Sequence, residues 1–143
     1  MTYAAPPANE DQKAAFFSEG ELIFTGTGSL TVNGRGSAQH GLGSDNYIDI
    51  RSGTVVIASA VRDGVHTNTG YFQDGGTVSV AGGYDGVDGG TGPIEIAGGN
   101  LTVVIPNANR DAVKCSGTIQ VAGGVLDLTV QGNQSKGFNA AEA

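Results

Sequence analysis

The amino-acid sequence predicts an all-β fold, a single-stranded parallel β-helix (solenoid) of about five to six coils with 22–26 residues in each. Three observations lead there. Segments repeat in register, each repeat alternates apolar and polar residues with period two, and glycine supplies 25 of 143 residues while proline supplies four. Glycine at that frequency without a Gly-X-Y period excludes collagen and marks frequent sharp turns between short strands.

The first unit is a loose copy, LIFTGTGSLTV from Leu22. IDIRSGTVVI follows from Ile48, YFQDGGTVSV from Tyr71, IEIAGGNLTV from Ile94 and IQVAGGVLDL from Ile119. Each reads apolar-x-apolar, a glycine turn, then apolar-x-apolar again. The turn glycines of the last four, Gly53, Gly76, Gly99 and Gly124, are 23, 23 and 25 residues apart. A third short element closes every unit: HGL at 40, DGV at 63, DGV at 85, DAV at 111 and KGF at 136. One unit cannot bury its apolar face, but stacked units can, with Val55 over Val78 over Leu101 over Leu126. An antiparallel sandwich would use the same strands without explaining the fixed period.

Two residues depart from the pattern. Gln73 interrupts the row of Ile50, Ile96 and Val121, so a bulge or one-residue slip is expected in that coil. Tyr71 replaces an inward isoleucine and is expected in the core. The loops before the third strand vary in length and form the flank expected to differ in binding. Residues 1–13 read as a flexible lead or N-terminal cap, and residues 14–143 as the β-helix domain, expected to be a fragment of a longer protein.

Fourteen Asp and Glu against seven Lys and Arg give a net charge of −7, and the basic residues are scattered, which argues against a nucleic-acid partner. With no Trp and few other aromatics, the core falls to Val, Ile, Leu and Ala. Cys115, the only cysteine, cannot make an internal disulfide and reads as a small buried filler. No window reaches the roughly 18 apolar residues of a membrane span, and residues 1–13 are not expected to be a signal peptide.

Aligning the third elements places His40, Asp63, Asp85, Asp111 and Lys136 in one ladder, with Gly43, His66, Asp88, Lys114 and Asn139 in another three residues on. Asp63, Asp85 and Asp111 then lie roughly 5 Å apart. Like charges that close must be relieved by hydrogen bonds, by Arg62, Arg110 and Lys114, or by a cation between coils. Two readings stay open. Asp before Gly can accept hydrogen bonds from nearby backbone N–H groups in a purely structural corner. Alternatively Asp63, Asp85, Asp88 and Asp111 hold Ca²⁺, which suits hard oxygen donors, with YDGVDGG at 84–90 as the best segment. His40 and His66 lack a third His or Cys at matching spacing and read as surface or corner histidines rather than zinc ligands.

Taken together, the repeats resemble a family of bacterial carbohydrate-binding domain proteins built from units of the type I-x-I-x-G-G-x-[LV]-x-[VI]…D-G-[IV]. The similarity covers about residues 14 to 138. It implies a right-handed parallel β-helix resembling pectate lyases, an extracellular or cell-surface location, bound Ca²⁺, and binding of polygalacturonate-like or cellulose-like polysaccharide without established catalysis. The family's Asp-Gly positions fall on Asp63 and Asp85, and on Asp111 with Ala112 in place of the glycine; His40 and Lys136 depart from Asp at the two ends.

The expected function is a non-catalytic, calcium-dependent polysaccharide-binding module. In it Ca²⁺ bridges protein and uronate carboxylates, Arg62, Arg110 and Lys114 supply local positive charge, and Tyr84 offers a ring for stacking. A calcium-dependent polysaccharide lyase with Lys114 or Arg110 as base is the first alternative. The second is a structural segment that associates end to end through its open strand edges.

Overall fold

The structure, a computed structural model, describes residues 14–36 and 39–141. The expected lead over residues 1–13 lies outside the described residues. Strand β1 (Ala14–Ser18) enters the stack, and five three-strand coils follow. The first is β2 (Leu22–Phe24), β3 (Ser29–Gly34) and β4 (His40–Ser44). The second is β5 (Tyr47–Ile50), β6 (Thr54–Ala60) and β7 (Val65–Thr67), and the third is β8 (Gly70–Gln73), β9 (Thr77–Ala81) and β10 (Val87–Asp88). The fourth is β11 (Ile94–Ile96), β12 (Asn100–Ile105) and β13 (Val113–Cys115), and the fifth is β14 (Ile119–Val121), β15 (Val125–Val130) and β16 (Phe138–Ala140). No helix occurs among the described residues, and so none is long and apolar enough to cross a membrane.

Like strands of successive coils pair in parallel and form three sheets, β2-β5-β8-β11-β14, β3-β6-β9-β12-β15 and β1-β4-β7-β10-β13-β16. The turn between the first two sheets needs a left-handed residue, and Gly53, Gly76, Gly99 and Gly124 supply it with φ between 70° and 87°.

The expected stacks are present. Leu30, Val55, Val78, Leu101 and Leu126 lie in register, as do Leu22, Ile48, Tyr71, Ile94 and Ile119. Burial comes from the neighbouring coil: Leu101 is 1% exposed beneath β15, whereas Val121 and Phe138, in the inward rows of the last coil, are 47% and 46% exposed. Cys115 is buried as expected, and burial pushes its thiol pKa up.

The slip expected at Gln73 does not occur. Ile50, Gln73 and Ile96 keep continuous register, and Gln73 sits fully buried in the core row. Its amide is satisfied there, with Oε1 accepting from the Tyr71 hydroxyl at 2.9 Å and Nε2 donating to the Asn100 carbonyl at 3.1 Å. A buried amide so partnered costs too little to force the strand out of line. The irregularity falls instead between Val32 and Asn33, where β3 shifts register against β6.

Candidate functional site

The third sheet brings both sequence ladders onto one flank. Its pairing sets Gly43, His66, Asp88, Lys114 and Asn139 opposite one another in successive coils. Just before these strands, the corner aspartates form a hydrogen-bonded staircase. Asp63 Oδ1 accepts the Asp85 N–H at 3.0 Å, Asp85 Oδ1 accepts the Asp111 N–H at 2.7 Å, and Asp111 Oδ1 accepts the Lys136 N–H at 2.9 Å. One oxygen of each buried carboxylate is therefore committed to the backbone one coil on. The glycine after His40 and after Asp63 exists for space: a Cβ on Gly41 would lie 2.6 Å from the Gly64 carbonyl oxygen, and one on Gly64 would lie 2.9 Å from that of Gly86.

The second oxygens face side-chain donors. Asp85 Oδ2 pairs with Lys114 Nζ at 3.1 Å, and Asp111 Oδ2 accepts from the Asn139 amide at 2.6 Å. Asp63 Oδ2 lies 3.1 Å from His40 Nδ1 and 3.2 Å from His66 Nδ1. Asp88 Oδ1 accepts the Gly90 N–H at 2.9 Å, while its Oδ2 stands 3.6 Å from His66 Nδ1 and 3.8 Å from Lys114 Nζ.

These contacts set the titration of the flank. Burial pushes the Asp63 carboxyl up, but the imidazoles of His40 and His66 outweigh it and hold Asp63 well below the usual carboxylate range. Asp63 and then Asp88 raise His66 to about 9 against its burial. Burial also opposes ionisation of Asp88, and His66, the Gly90 N–H and Lys114 together hold its pKa low. Partial burial would lower Lys114, yet its bond to Asp85 and the nearby carboxylates keep the ammonium above its ordinary pKa.

A groove of about 390 Å³ opens over this flank. Of the residues singled out from sequence, Arg62, Asp63, Tyr84, Asp85, Asp88, Arg110 and Lys114 line it together; Asp111 lines a separate shallow depression with Asn109 and Lys136. Arg62, Tyr84 and Arg110 each directly precede a corner aspartate, so three successive coils present them as one outward ladder. The Arg110 guanidinium lies 3.7 Å from the Tyr84 ring centroid, and that of Arg62 lies 5.8 Å away. Neither guanidinium makes an ion pair among the described residues. Tyr71, the fully buried partner of Gln73, has no part in the groove.

Ca²⁺ takes six to eight hard oxygens at about 2.3–2.6 Å. The corner does not fit that requirement. Asp63, Asp85 and Asp111 each spend one oxygen on backbone, and the Lys114 ammonium already stands between Asp85 and Asp88 where an ion would have to sit. The histidines carry more than the sequence reading gave them. His40 is 5% exposed, not at the surface, and its ring stacks on His66 with centroids 4.3 Å apart. The ladder alignment already held the signal, because it brackets Asp63 between one histidine a coil earlier and another three residues later.

Fold and flank together define a parallel β-solenoid of about five turns carrying a ligand-sized polar groove along its third sheet. The chain belongs to the family of carbohydrate-binding domain-containing proteins, whose family model matches residues 1–143. No curated protein and no solved structure matches it. Membership supports a polysaccharide-binding role and favours a non-catalytic module over an enzyme.

Proposed function

We propose that the chain is a non-catalytic module that binds an acidic, polygalacturonate-like polysaccharide along the groove of the third sheet. The observation that carries this reading is the Arg62–Tyr84–Arg110 ladder, whose guanidinium groups make no ion pair among the described residues. The two arginines are two coils apart, about 9–10 Å along the axis. A glycan lying along the solenoid would meet them in turn. Each planar fork can take a uronate carboxylate through two parallel hydrogen bonds. Arg110 covers part of the Tyr84 ring, which removes stacking surface from a neutral sugar and favours the acidic ligand over a cellulose-like one.

Calcium dependence is left out of this reading, since the carboxylates expected to hold the ion are occupied by protein donors. Lys114, a candidate lyase base, is held protonated between Asp85 and Asp88, the opposite of what a general base at neutral pH requires. Calorimetric titration of polygalacturonate oligomers and cello-oligosaccharides, with a chelator and then with Ca²⁺, tests the reading while absorbance is followed for unsaturated product. Polygalacturonate is expected to bind in chelator without product, and the double variant R62A/R110A is expected to bind at least about tenfold more weakly. Binding that required Ca²⁺, equal binding of the neutral oligomers, or product formation would overturn it.

A further inference from the structure

We infer that His40, Asp63 and His66 form a binding site for a divalent transition-metal ion of the zinc class in the floor of the groove, with Asp88 as a fourth donor. The inference stands apart from the polysaccharide reading and rests on the donor geometry. One ligand atom from each of His40, Asp63 and His66 falls within 4.8 Å of the others. Asp63 Oδ2 is 3.1 Å from His40 Nδ1 and 3.2 Å from His66 Nδ1, and Asp88 Oδ2 is 3.6 Å from His66 Nδ1. Metal–ligand bonds of 2.0–2.1 Å at tetrahedral angles separate neighbouring donor atoms by about 3.3 Å. The separations from Asp63 Oδ2 to the two imidazoles and from His66 to Asp88 thus match three edges of such a site.

Protein groups alone leave His66 Nδ1 without a hydrogen bond and His40 Nδ1 facing a carboxylate oxygen lone pair to lone pair. His66 Nδ1 is buried and has no aligned hydrogen bond, although two carboxylate oxygens stand near it. His40 Nδ1 meets the Asp63 N–H at 3.2 Å and Asp63 Oδ2 at 3.1 Å. One nitrogen cannot accept from the first and donate to the second, so one contact fails wherever the proton lies. An ion that takes the Nδ1 lone pair in place of the Asp63 N–H and binds Oδ2 as well removes the repulsion between the two lone pairs. The donors are also pre-organised: the side chains of His40 and Asp63 are only 7% and 9% exposed, and Asp63 Oδ1 is anchored by the Asp85 N–H. Two imidazole nitrogens with two carboxylate oxygens select zinc-like ions over Ca²⁺, which prefers an all-oxygen shell.

The test uses the whole chain, stripped with chelator and then titrated with Zn²⁺ by calorimetry and with Co²⁺ by visible absorption. One ion per chain is expected, with Co²⁺ giving the d–d bands of a tetrahedral site, Zn²⁺ abolishing them, and excess Ca²⁺ leaving them intact. His66→Ala, at a half-exposed position that folding tolerates best, is expected to weaken Zn²⁺ binding at least about tenfold while keeping the wild-type circular dichroism. Asp88→Asn provides a second variant, expected to bind Zn²⁺ more weakly than wild type. Absence of saturable Co²⁺ bands, displacement by Ca²⁺, or wild-type Zn²⁺ affinity in both variants would overturn the assignment.

Discussion

Asp85 carries two jobs on two oxygens, and its replacement separates them. Oδ1 satisfies the Asp111 N–H, and Oδ2 holds the Lys114 ammonium. Asp85→Ala leaves a buried N–H without an acceptor and a half-buried ammonium without its nearest carboxylate, a loss of about 2–4 kcal/mol. Asp85→Asn keeps an acceptor for the N–H and forfeits the Lys114 ion pair, where the amide NH2 replaces Oδ2, at about 1 kcal/mol. Urea unfolding of both variants measures the difference, and equal losses would mean that the staircase contributes nothing. Aligning the repeats was enough to put these carboxylates one coil apart. It could not say which oxygen turns to the backbone, because that depends on side-chain torsions fixed by N–H groups of the next coil. For the same reason His40 and His66, about a full coil apart in sequence, did not look like a pair.

The third strands β4, β7, β10 and β16 are entered through a residue-Gly step, with Ala112 in that place before β13, and packing explains the glycine without any ligand. At Gly64 an added Cβ would press on the Val80 side chain and lie 2.9 Å from the Gly86 carbonyl oxygen; at Gly86 it would strike Val103 and the Ala112 carbonyl. Gly64→Ala should therefore cost about 1–3 kcal/mol through displacement of β7 from β10, read as a lower thermal midpoint with secondary structure retained. An unchanged midpoint would show that the coils can part at that corner at no cost. The Asp-Gly-Val spelling thus serves a hydrogen-bond staircase and a close backbone approach at once. Sequence alone left that open against a metal loop because both uses call for the same residues. Gln73 misled for a related reason. A polar residue in an apolar row looks like a break until the Tyr71 hydroxyl, two residues away on the same face of β8, is seen to satisfy it.

Across the whole solenoid, the period of the repeat fixes the stack, since only parallel in-register coils bury Val55, Val78 and Leu101 together, and this makes the three sheets legible in the sequence. The charge of the flank was less legible, yet it governs how stability depends on pH in chelator-treated protein. His66 rises from an ordinary 6.5 to about 9 in the folded state, so its contribution is complete below about 6.5 and is lost as pH climbs through 9. Asp63 is shifted the other way: its contribution is complete above the ordinary carboxyl value of 3.8 and fades as pH falls below it. The two windows overlap between about pH 4 and 6.5, where the thermal midpoint should be highest. Above that range the midpoint should decline toward pH 9, and His66→Ala should flatten this alkaline arm while leaving an acid arm in place. A wild-type midpoint that stays level from pH 6.5 to 9, or a His66→Ala profile parallel to wild type, would place the pH sensitivity elsewhere and leave the imidazole as a passive lining of the groove.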